Sequence, residues 1–136
     1  MDGKTLARLF WDRIWNDGDL DACDSLVDPE FILRTADGDI RGPDGLKRYV
    51  MAMRNAFPDI HFEVQEEVEE GDSVVHLWCG KGTQRGALGD IPATGRSISL
   101  TGASFFRIRG DRIVLDRPVE DRLGMLQQLG VVATSP

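Results

Sequence analysis

The order of structural signals along the chain predicts an α+β fold, in which helices cover one face of a curved, mainly antiparallel β-sheet. Apolar residues recur at helical spacing in the first 57 residues, whereas residues 60–121 read as strands separated by glycine-containing turns. At 136 residues the chain has the length of one domain with a sizeable core. No repeat or change of composition divides it, so we predict a single domain over residues 1–136.

Three helices are predicted before the main run of strands and one after it. The first covers residues 5–16, where apolar side chains four residues apart form an unusually wide face. A short second helix extends from a cap at Asp19 through Val27, and a third covers residues 42–57. A brief closing helix ends at Gly130, which suits a C-terminal cap.

Five strands are predicted, and both of their faces are partly apolar. They cover residues 31–34, 60–69, 73–86, 97–109 and 112–121. Because the helices can cover only one face of such a sheet, a second surface must cover the other. Two copies of the chain packed back to back would do so, and we therefore expect a homodimer.

The acidic composition excludes several kinds of partner. A net charge of −7 and the absence of a basic stripe argue against nucleic acid and against anionic membranes. No apolar run approaches the ~20 residues that cross a bilayer. The amphipathic N-terminus does not resemble a signal peptide, so we expect a cytoplasmic protein. Cys23 and Cys79 are ordinary thiols in this interpretation, and His61 and His76 fit no metal-ligand spacing.

Eight short blocks, in the same order, resemble the signatures of SnoaL-like polyketide cyclases, a family of the NTF2-like superfamily. The blocks are residues 14–21 (IWNDGDLD), 42–46 (GPDGL), 56–59 (AFPD), 82–86 (GTQRG), 92–96 (PATGR), 101–102 (TG), 106–107 (FR) and 121–130 (DRLGMLQQLG). Each block is short, but together they extend over most of the chain. The resemblance therefore predicts the fold, whereas domains of one fold can host different chemistries.

The resemblance implies a cone-shaped domain that encloses a ligand pocket between the concave sheet and the helices. It also implies aldol ring closure of polyketide esters without a cofactor, in which an aspartate before the final helix is the general acid/base. Asp121 stands at that position. Relatives include ketosteroid isomerase-like and epoxide-opening enzymes, as well as members without a known activity.

Asp121 is accordingly the predicted general acid/base. A carboxylate at the mouth of an apolar cavity would be desolvated, which makes it a better base toward a carbon acid. Its alternative role is to cap the final helix. Strand alternation places Arg117 and Asp121 on one face and Asp116 and Glu120 on the other. If the first face lines the cavity, Arg117 could hold a substrate carboxylate or stabilise an enolate oxygen, or it could simply pair with Asp121.

Three positions depart from the family pattern, because Arg34 and Gln84 replace histidines and Arg117 replaces a tryptophan. Gln84 and His76 share one face of the long strand, and either could polarise a substrate carbonyl. For His76 the alternative is a core residue whose hydrogen bonds are all satisfied. An arginine in the pocket would also allow an anionic substrate.

The remaining candidates are expected to line the pocket, with ordinary core packing as the alternative for the aromatic residues. The predicted lining residues are Arg34, Trp15, Tyr49, Phe57, Trp78, Ser104 and Phe106. Tyr49 is the only tyrosine of the chain, and it is also a candidate donor to a substrate oxyanion.

Three functions follow from these features. The first is a cofactor-independent cyclase or isomerase that acts on a small hydrophobic ketone or ester of polyketide type. The second is an epoxide-opening cyclase or hydrolase, which the missing histidines and an Asp121–Arg117 pair would suit. The third is a protein that binds a small ligand without catalysis.

Overall fold

Four α-helices and six strands make up the computed structural model, which describes residues 1–134. The helices are α1 (Gly3–Leu9), α2 (Ala22–Leu26), α3 (Gly42–Ala56) and α4 (Arg122–Gln128), and a π-helical segment (Phe10–Asn16) continues α1. The strands are β1 (Val27–Thr35), β2 (Gly38–Arg41), β3 (His61–Glu70), β4 (Ser73–Thr83), β5 (Ser97–Arg109) and β6 (Arg112–Glu120). Residues 135–136 of the predicted domain lie outside the described residues. No helix within residues 1–134 has the length and apolar content needed to span a membrane.

The strands form one sheet in the order β2-β1-β6-β5-β4-β3. β1 runs parallel to β6, and every other neighbouring pair is antiparallel. The face that packs against the helices is called the inner face here. Phe10 of the π-helical segment meets Phe106 of β5 on this face, with ring centroids 5.3 Å apart. These features confirm the predicted α+β class.

The boundaries of the elements differ from the predictions mainly at turns. The segment after β1 returns as the short strand β2, where the sequence predicted only a turn. β1 itself begins at Val27, directly after α2, and is longer than expected. β4 ends at Thr83, since the backbone of Gln84 then bonds to the loop that precedes β5, with its N–H donating to the carbonyl of Arg96 (2.9 Å).

The first helix changes from α to π geometry at Phe10, which helical periodicity did not predict. The N–H of Asp17 donates to the carbonyl of Asp12, five residues earlier, at 3.0 Å. The wide apolar face seen in the sequence is thereby turned toward the core. Its buried side chains are Phe10, Trp11, Ile14 and Trp15.

Several of the signature blocks join distant elements. The Asn16 side chain binds both backbone groups of Phe62, accepting from the N–H at 2.7 Å and donating to the carbonyl at 3.0 Å. The Asp59 carboxylate accepts from the N–H and the hydroxyl of Thr83 at 2.7 and 2.9 Å. Because each bond fixes a helix or loop end to a strand, these positions of the signature blocks have architectural roles in this chain.

The outer face of the sheet, opposite the helices, carries an apolar band. Val68, Val75 and Phe105 lie side by side on β3, β4 and β5, and Leu77 and Val119 lie in the next row. Val119 is 74% exposed and Val68 is 61% exposed. The name "outer band" is used below for these five residues.

Candidate functional site

A bulge in β6 decides which of its side chains face the helices. Ile108 of β5 pairs with Ile113, but the preceding residue of β5, Arg107, pairs with Leu115. Val114 is therefore an extra residue in β6, and the alternation of inner and outer side chains reverses after it.

After this bulge, Asp116, Pro118 and Glu120 are on the inner face, where Asp116 pairs with the fully buried Phe106. Arg117 is exposed on the outer face. The condition for a role of Arg117 in the cavity, that its face of β6 lines the pocket, is therefore not met. Strict alternation of side chains from the buried Ile113 would place Arg117 on the inner face. It fails because it takes no account of the inserted residue Val114.

Asp116 is a buried carboxyl group among apolar neighbours. It is 3% exposed, with Phe106 beside it on β5 and Leu33 beside it on β1. Burial raises the pKa of Asp116 to about 7, and the nearby charge of Glu120 also raises it, whereas the Ser104 hydroxyl lowers it. Within residues 1–134 its Oδ1 has no hydrogen-bond partner. Asp116 thus has a pKa close to neutral pH and an acceptor oxygen that no atom of residues 1–134 binds.

Trp78 and Ser104 lie on the inner face next to Asp116. The indole N–H of Trp78 donates to the Ser104 hydroxyl at 3.1 Å. The Trp78 ring lies over Gly102, where a Cβ atom would come within 2.6 Å of the indole. The glycine therefore creates the space that brings the indole N–H to Ser104.

Trp15 and Tyr49 approach the same region from the helices. Their rings make a T-shaped contact with centroids 5.8 Å apart. Trp15 is 6% exposed, and its indole N–H has no hydrogen-bond partner among the described residues. Burial, followed by the charges of Glu120 and Asp116, raises the pKa of Tyr49 to about 12. The phenol is therefore a proton donor, not a phenolate, near neutral pH.

Phe62 connects these two sides. Its ring lies 5.3 Å from that of Trp15 and 5.4 Å from that of Trp78, both in T-shaped geometry. The resulting group of side chains is called the Asp116 cluster below. It consists of Trp15, Tyr49, Phe62, Trp78, Ser104 and Asp116.

Charged residues lie at the end of β6 beyond the cluster. The surrounding protein desolvates the Glu120 carboxyl and raises its pKa, although the residue is exposed and Arg122 opposes the shift. Arg122 donates to the Asp37 carboxylate at 2.9 Å, which ties the start of α4 to the β1–β2 turn. The cation nearest to Glu120 and Tyr49 is therefore already paired with an anion.

The Asp121 carboxylate caps α4. Its Oδ1 accepts from the N–H of Gly124 at 2.9 Å, and the residue is exposed. A Cβ atom on Gly124 would lie 2.3 Å from this carboxylate, so the DRLG block depends on the glycine. Capping, the alternative stated for Asp121, is the role that the structure shows.

His76 is enclosed in a hydrogen-bond network that runs from the inner face to the surface. Its Nδ1 accepts from the indole N–H of Trp11 at 3.0 Å, and its Nε2 lies 2.8 Å from the Glu67 carboxylate. Glu67 in turn accepts from Nε of Arg8 at 2.9 Å. Because Nδ1 accepts a hydrogen bond, it carries no proton. The ring is therefore neutral, and Nε2 donates to Glu67. Burial lowers the pKa of His76, and the bond to Glu67 only partly opposes this.

Gln84 and Arg34 bind elsewhere. The amide oxygen of the fully buried Gln84 accepts from the N–H and the hydroxyl of Thr94 at 3.1 and 2.7 Å, which holds the loop before β5. Arg34 is exposed and pairs with Asp39 at 3.1 Å. The structure therefore gives both side chains a role in holding the fold together. Arg34 does not line the Asp116 cluster, although it was a predicted lining residue.

Phe57 and Phe106 are almost completely buried. Phe106 packs against His76 as well as Phe10, with ring centroids 5.6 and 5.3 Å apart. These contacts show core packing, the alternative stated for the aromatic candidates. Phe106 nevertheless forms part of the apolar surroundings of Asp116.

Two open grooves of about 520 and 540 Å³ lie on the surface, and of the Asp116 cluster only Phe62 lines one of them, the first. The first lies between the N-terminal helix and β3, and the second lies along β1 and β6. In the first groove Glu67 is already paired with Arg8 and His76. We place the candidate site at the Asp116 cluster because two of its buried polar atoms, Nε1 of Trp15 and Oδ1 of Asp116, lack hydrogen-bond partners among residues 1–134. Such unpaired atoms cost free energy unless a ligand binds them. No three His, Cys, Asp or Glu side chains of residues 1–134 are grouped so that they could hold a metal ion.

Sequence reasoning missed Asp116 as a site residue. It did place Asp116 and Glu120 on a common face, but it considered only the opposite face, with Arg117 and Asp121, as a possible lining of the cavity. The signal that the sequence offered is Pro118, since proline in a central strand marks irregular pairing and warns against simple alternation.

The arrangement of helices against one face of a six-stranded sheet also occurs in solved structures of other proteins. A protein with a ketosteroid isomerase-like fold from Catenulispora acidiphila, solved in complex with trimethylamine, matches with a TM-score of 0.80. The match covers 96% of both chains at 17% identity, and it shows the fold alone.

The family model of the SnoaL-like polyketide cyclases matches residues 5–129, and the chain belongs to this family. A candidate polyketide cyclase from Acidithiobacillus ferrooxidans is 29% identical, with a TM-score of 0.82 over 96% of this chain and 95% of that one. IdmH from Streptomyces antibioticus is 26% identical, with a TM-score of 0.82 over 96% and 99%. No curated protein sequence matches the chain. Family and fold together support an activity of the cyclase or isomerase kind.

Proposed function

We propose that the protein is a cofactor-independent cyclase or isomerase in which Asp116 is the general acid/base. The observation that carries this proposal is the buried Asp116 carboxyl, whose Oδ1 has no partner within residues 1–134 and whose pKa is raised to about 7. A base of this kind is partly ionised at neutral pH and returns a proton readily. The substrate class is a small hydrophobic ketone or ester of polyketide type.

In an aldol cyclisation, Asp116 removes a proton from the carbon next to a carbonyl group, and the electron pair becomes an enolate. The enolate carbon attacks a second carbonyl of the same molecule, and the resulting alkoxide takes the proton back from Asp116. In an isomerisation, the same proton returns to a different carbon. The apolar surroundings of Asp116 would exclude water and keep the substrate folded for the reaction.

The structure favours a neutral substrate over an anionic one. Arg117 and Arg34 are exposed and do not belong to the Asp116 cluster, and Arg122 is paired with Asp37. An anionic group beside Asp116 and Glu120 would meet two acidic side chains without a free cation among these three arginines. We therefore expect esters to be better substrates than the corresponding acids.

The test compares Asp116→Asn with Asp121→Asn on a panel of aromatic polyketide-like ketones and esters. The amide in place of the Asp116 carboxyl should lower turnover roughly 100- to 10,000-fold. Asp121→Asn keeps a good capping residue and should retain turnover near that of the native protein. The opposite pattern would return the catalytic role to Asp121. If the native protein binds panel members but turns none of them over, and both variants bind as well as the native protein, the result would favour the ligand-binding function.

Epoxide opening is the second candidate, and the position of Glu120 favours it. Glu120 shares the inner face of β6 with Asp116, and its pKa is raised by desolvation, so it could protonate the departing epoxide oxygen. Asp116 would then activate the attacking water or hydroxyl group. Turnover of matched epoxides that is lost in Glu120→Gln, while turnover of ketones persists, would support this reaction.

We also infer that the protein is a homodimer whose copies meet through the outer band. Val119 and Val68 are largely exposed there, although the sheet register makes them part of one continuous apolar surface. Contiguous exposed apolar surface of this kind is typical of protein interfaces. The molar mass in solution, measured by light scattering, tests this proposal.

A further inference from the structure

The three tryptophans of the chain differ in what their indole N–H groups bind. Trp11 donates to Nδ1 of His76 at 3.0 Å, and Trp78 donates to the Ser104 hydroxyl at 3.1 Å. Trp15 is also buried, but no atom of residues 1–134 accepts its N–H. The chain has therefore satisfied two of three buried donors and left the third without a partner.

An unpaired buried donor costs about 1–3 kcal/mol, so it is rare in a folded protein and requires an explanation. Trp15 lies in the π-helical segment, whose geometry turns it toward the core together with Trp11. Its ring contacts both Tyr49 and Phe62, and Phe62 contacts Trp78 beside Ser104. The unpaired donor thus belongs to the same cluster as the unpaired acceptor of Asp116.

A donor and an acceptor that are both buried and both unpaired are complementary to a ligand that carries an acceptor oxygen and an acidic hydrogen. An enolisable carbonyl compound has both groups on neighbouring atoms. Removal of its α-proton leaves the negative charge on the carbonyl oxygen, and a neutral indole N–H can hydrogen-bond that oxygen without losing its own proton.

We propose that the indole N–H of Trp15 donates a hydrogen bond to the carbonyl oxygen of the substrate and stabilises the enolate that forms when Asp116 removes the α-proton. This assignment rests on the proposed role of Asp116 and adds the oxygen-binding group of the site. The proton passes from the substrate carbon to Asp116 and back, and Trp15 keeps its proton throughout. The Tyr49 ring, whose phenol is protonated, is in contact with the Trp15 ring.

The probe is 2-naphthol, an aromatic alcohol whose oxygen resembles that of an enolate, and its control is naphthalene, which has the same rings without the oxygen. In a ¹H–¹⁵N spectrum of the native protein, the three indole N–H signals are separate reporters of the three tryptophans. Binding of 2-naphthol should shift the Trp15 signal strongly and leave those of Trp11 and Trp78 nearly unchanged. The Trp15 signal is identified by its loss in Trp15→Phe, or by its nuclear Overhauser contact with Tyr49 if that variant does not fold.

Affinity provides the second measurement. Trp15→Phe keeps an aromatic ring but removes the donor, so it should weaken 2-naphthol binding roughly 2- to 10-fold, because a hydrogen bond to a neutral hydroxyl oxygen contributes about 0.5–1.5 kcal/mol. Naphthalene should bind both proteins alike. In turnover, the variant should lose kcat more than it raises KM, since the bond strengthens as charge develops on the oxygen.

The outcomes separate this inference from the proposed function. If 2-naphthol binds in a manner that depends on Asp116 but the Trp15 signal does not move, the role of Trp15 is wrong while that of Asp116 stands. If binding shifts the Trp15 signal and is unaffected by Asp116→Asn, the donor is correct and the proposed base is wrong. An absence of 2-naphthol binding counts against the Trp15 assignment.

Discussion

His76 and Asp116 are both buried, ionisable side chains on the inner face of the same sheet, but they differ in their partners. Both nitrogens of His76 are hydrogen-bonded, and the network continues through Glu67 to the exposed Arg8. Asp116 has an oxygen without any partner in the described residues. Burial alone therefore does not mark a reactive group. A buried polar atom without a hydrogen-bond partner is the better indicator, because such an atom can bind a ligand without first breaking hydrogen bonds of the fold.

The direction of the two pKa shifts follows from the same contrast. Burial disfavours the charged form of each group, so it lowers the pKa of His76 and raises that of Asp116. His76 is kept neutral, and its Nδ1 cannot take up a proton while Trp11 donates to it. Asp116 is held near the point where it can both accept and release a proton, which is the property that acid/base catalysis requires.

The largest effect is expected from breaking the His76 network. His76→Leu leaves the Trp11 N–H without an acceptor and removes one partner of Glu67, so it should lower the free energy of unfolding by about 2–5 kcal/mol. Urea denaturation followed by tryptophan fluorescence measures this change. A loss below that range, accompanied by a large loss of turnover, would show that His76 is catalytic and that the contrast drawn here is mistaken.

The pH dependence of stability distinguishes the two groups next. The pKa of Asp116 is about 7 in the folded protein and 3.8 ordinarily, so the folded state binds the extra proton between these values. Stability is then highest below pH 4 for this group and falls by about 1.4 kcal/mol per pH unit toward pH 7. Asp116→Asn should remove that fall. Denaturation curves of native and variant protein from pH 4 to 8 that run parallel would contradict the raised pKa.

His76 contributes with the opposite sign. Its pKa is lowered from an ordinary value of 6.5, so just below pH 6.5 the unfolded chain binds a proton at His76 and the folded protein does not. Its contribution is therefore complete above pH 6.5 and decreases as the pH falls below that value. In His76→Leu this decrease should be absent, which a comparison of native and variant stability between pH 5 and 7 would reveal.

A smaller effect is expected at Asp121. Asp121→Ala removes the cap of α4 and should cost about 0.5–2 kcal/mol of stability. Turnover measured well below the melting temperature should stay near that of the native protein, in contrast to Asp116→Asn. Equal losses of turnover in the two variants would mean that Asp121 is needed for the reaction as much as Asp116, which would contradict a role in capping alone.

The smallest effect on the folded chain is expected from charges in the outer band. Leu77→Lys combined with Val119→Lys places like charges on the exposed face and should convert the dimer to a monomer, with little change at the Asp116 cluster. Light scattering measures the mass, and Arg117→Lys, on the same face but without a change of charge, is the matched control. A native protein that is already monomeric would overturn the dimer.

The sequence by itself determined the α+β class, the order of the helices and of five of the six strands, and the family. These follow from local causes, because the spacing of apolar residues and the turn-forming glycines act within a few residues of one another. The capping role of Asp121 was also within reach, since Gly124 stands three residues later and the bond joins only these two.

Only the tertiary structure decided which side chains form the site. One extra residue at Val114 reverses the faces of β6, and the nearby Pro118 indicates irregular pairing without locating the inserted residue. Whether a buried donor is satisfied depends on partners far away in the chain, such as the 65 residues that separate Trp11 from His76. Trp15 and Asp116 each have a buried polar atom without a partner among residues 1–134, whereas Trp11 and His76 bind each other. Periodicity cannot detect this difference, because hydrogen bonds of this kind form only after the elements have packed.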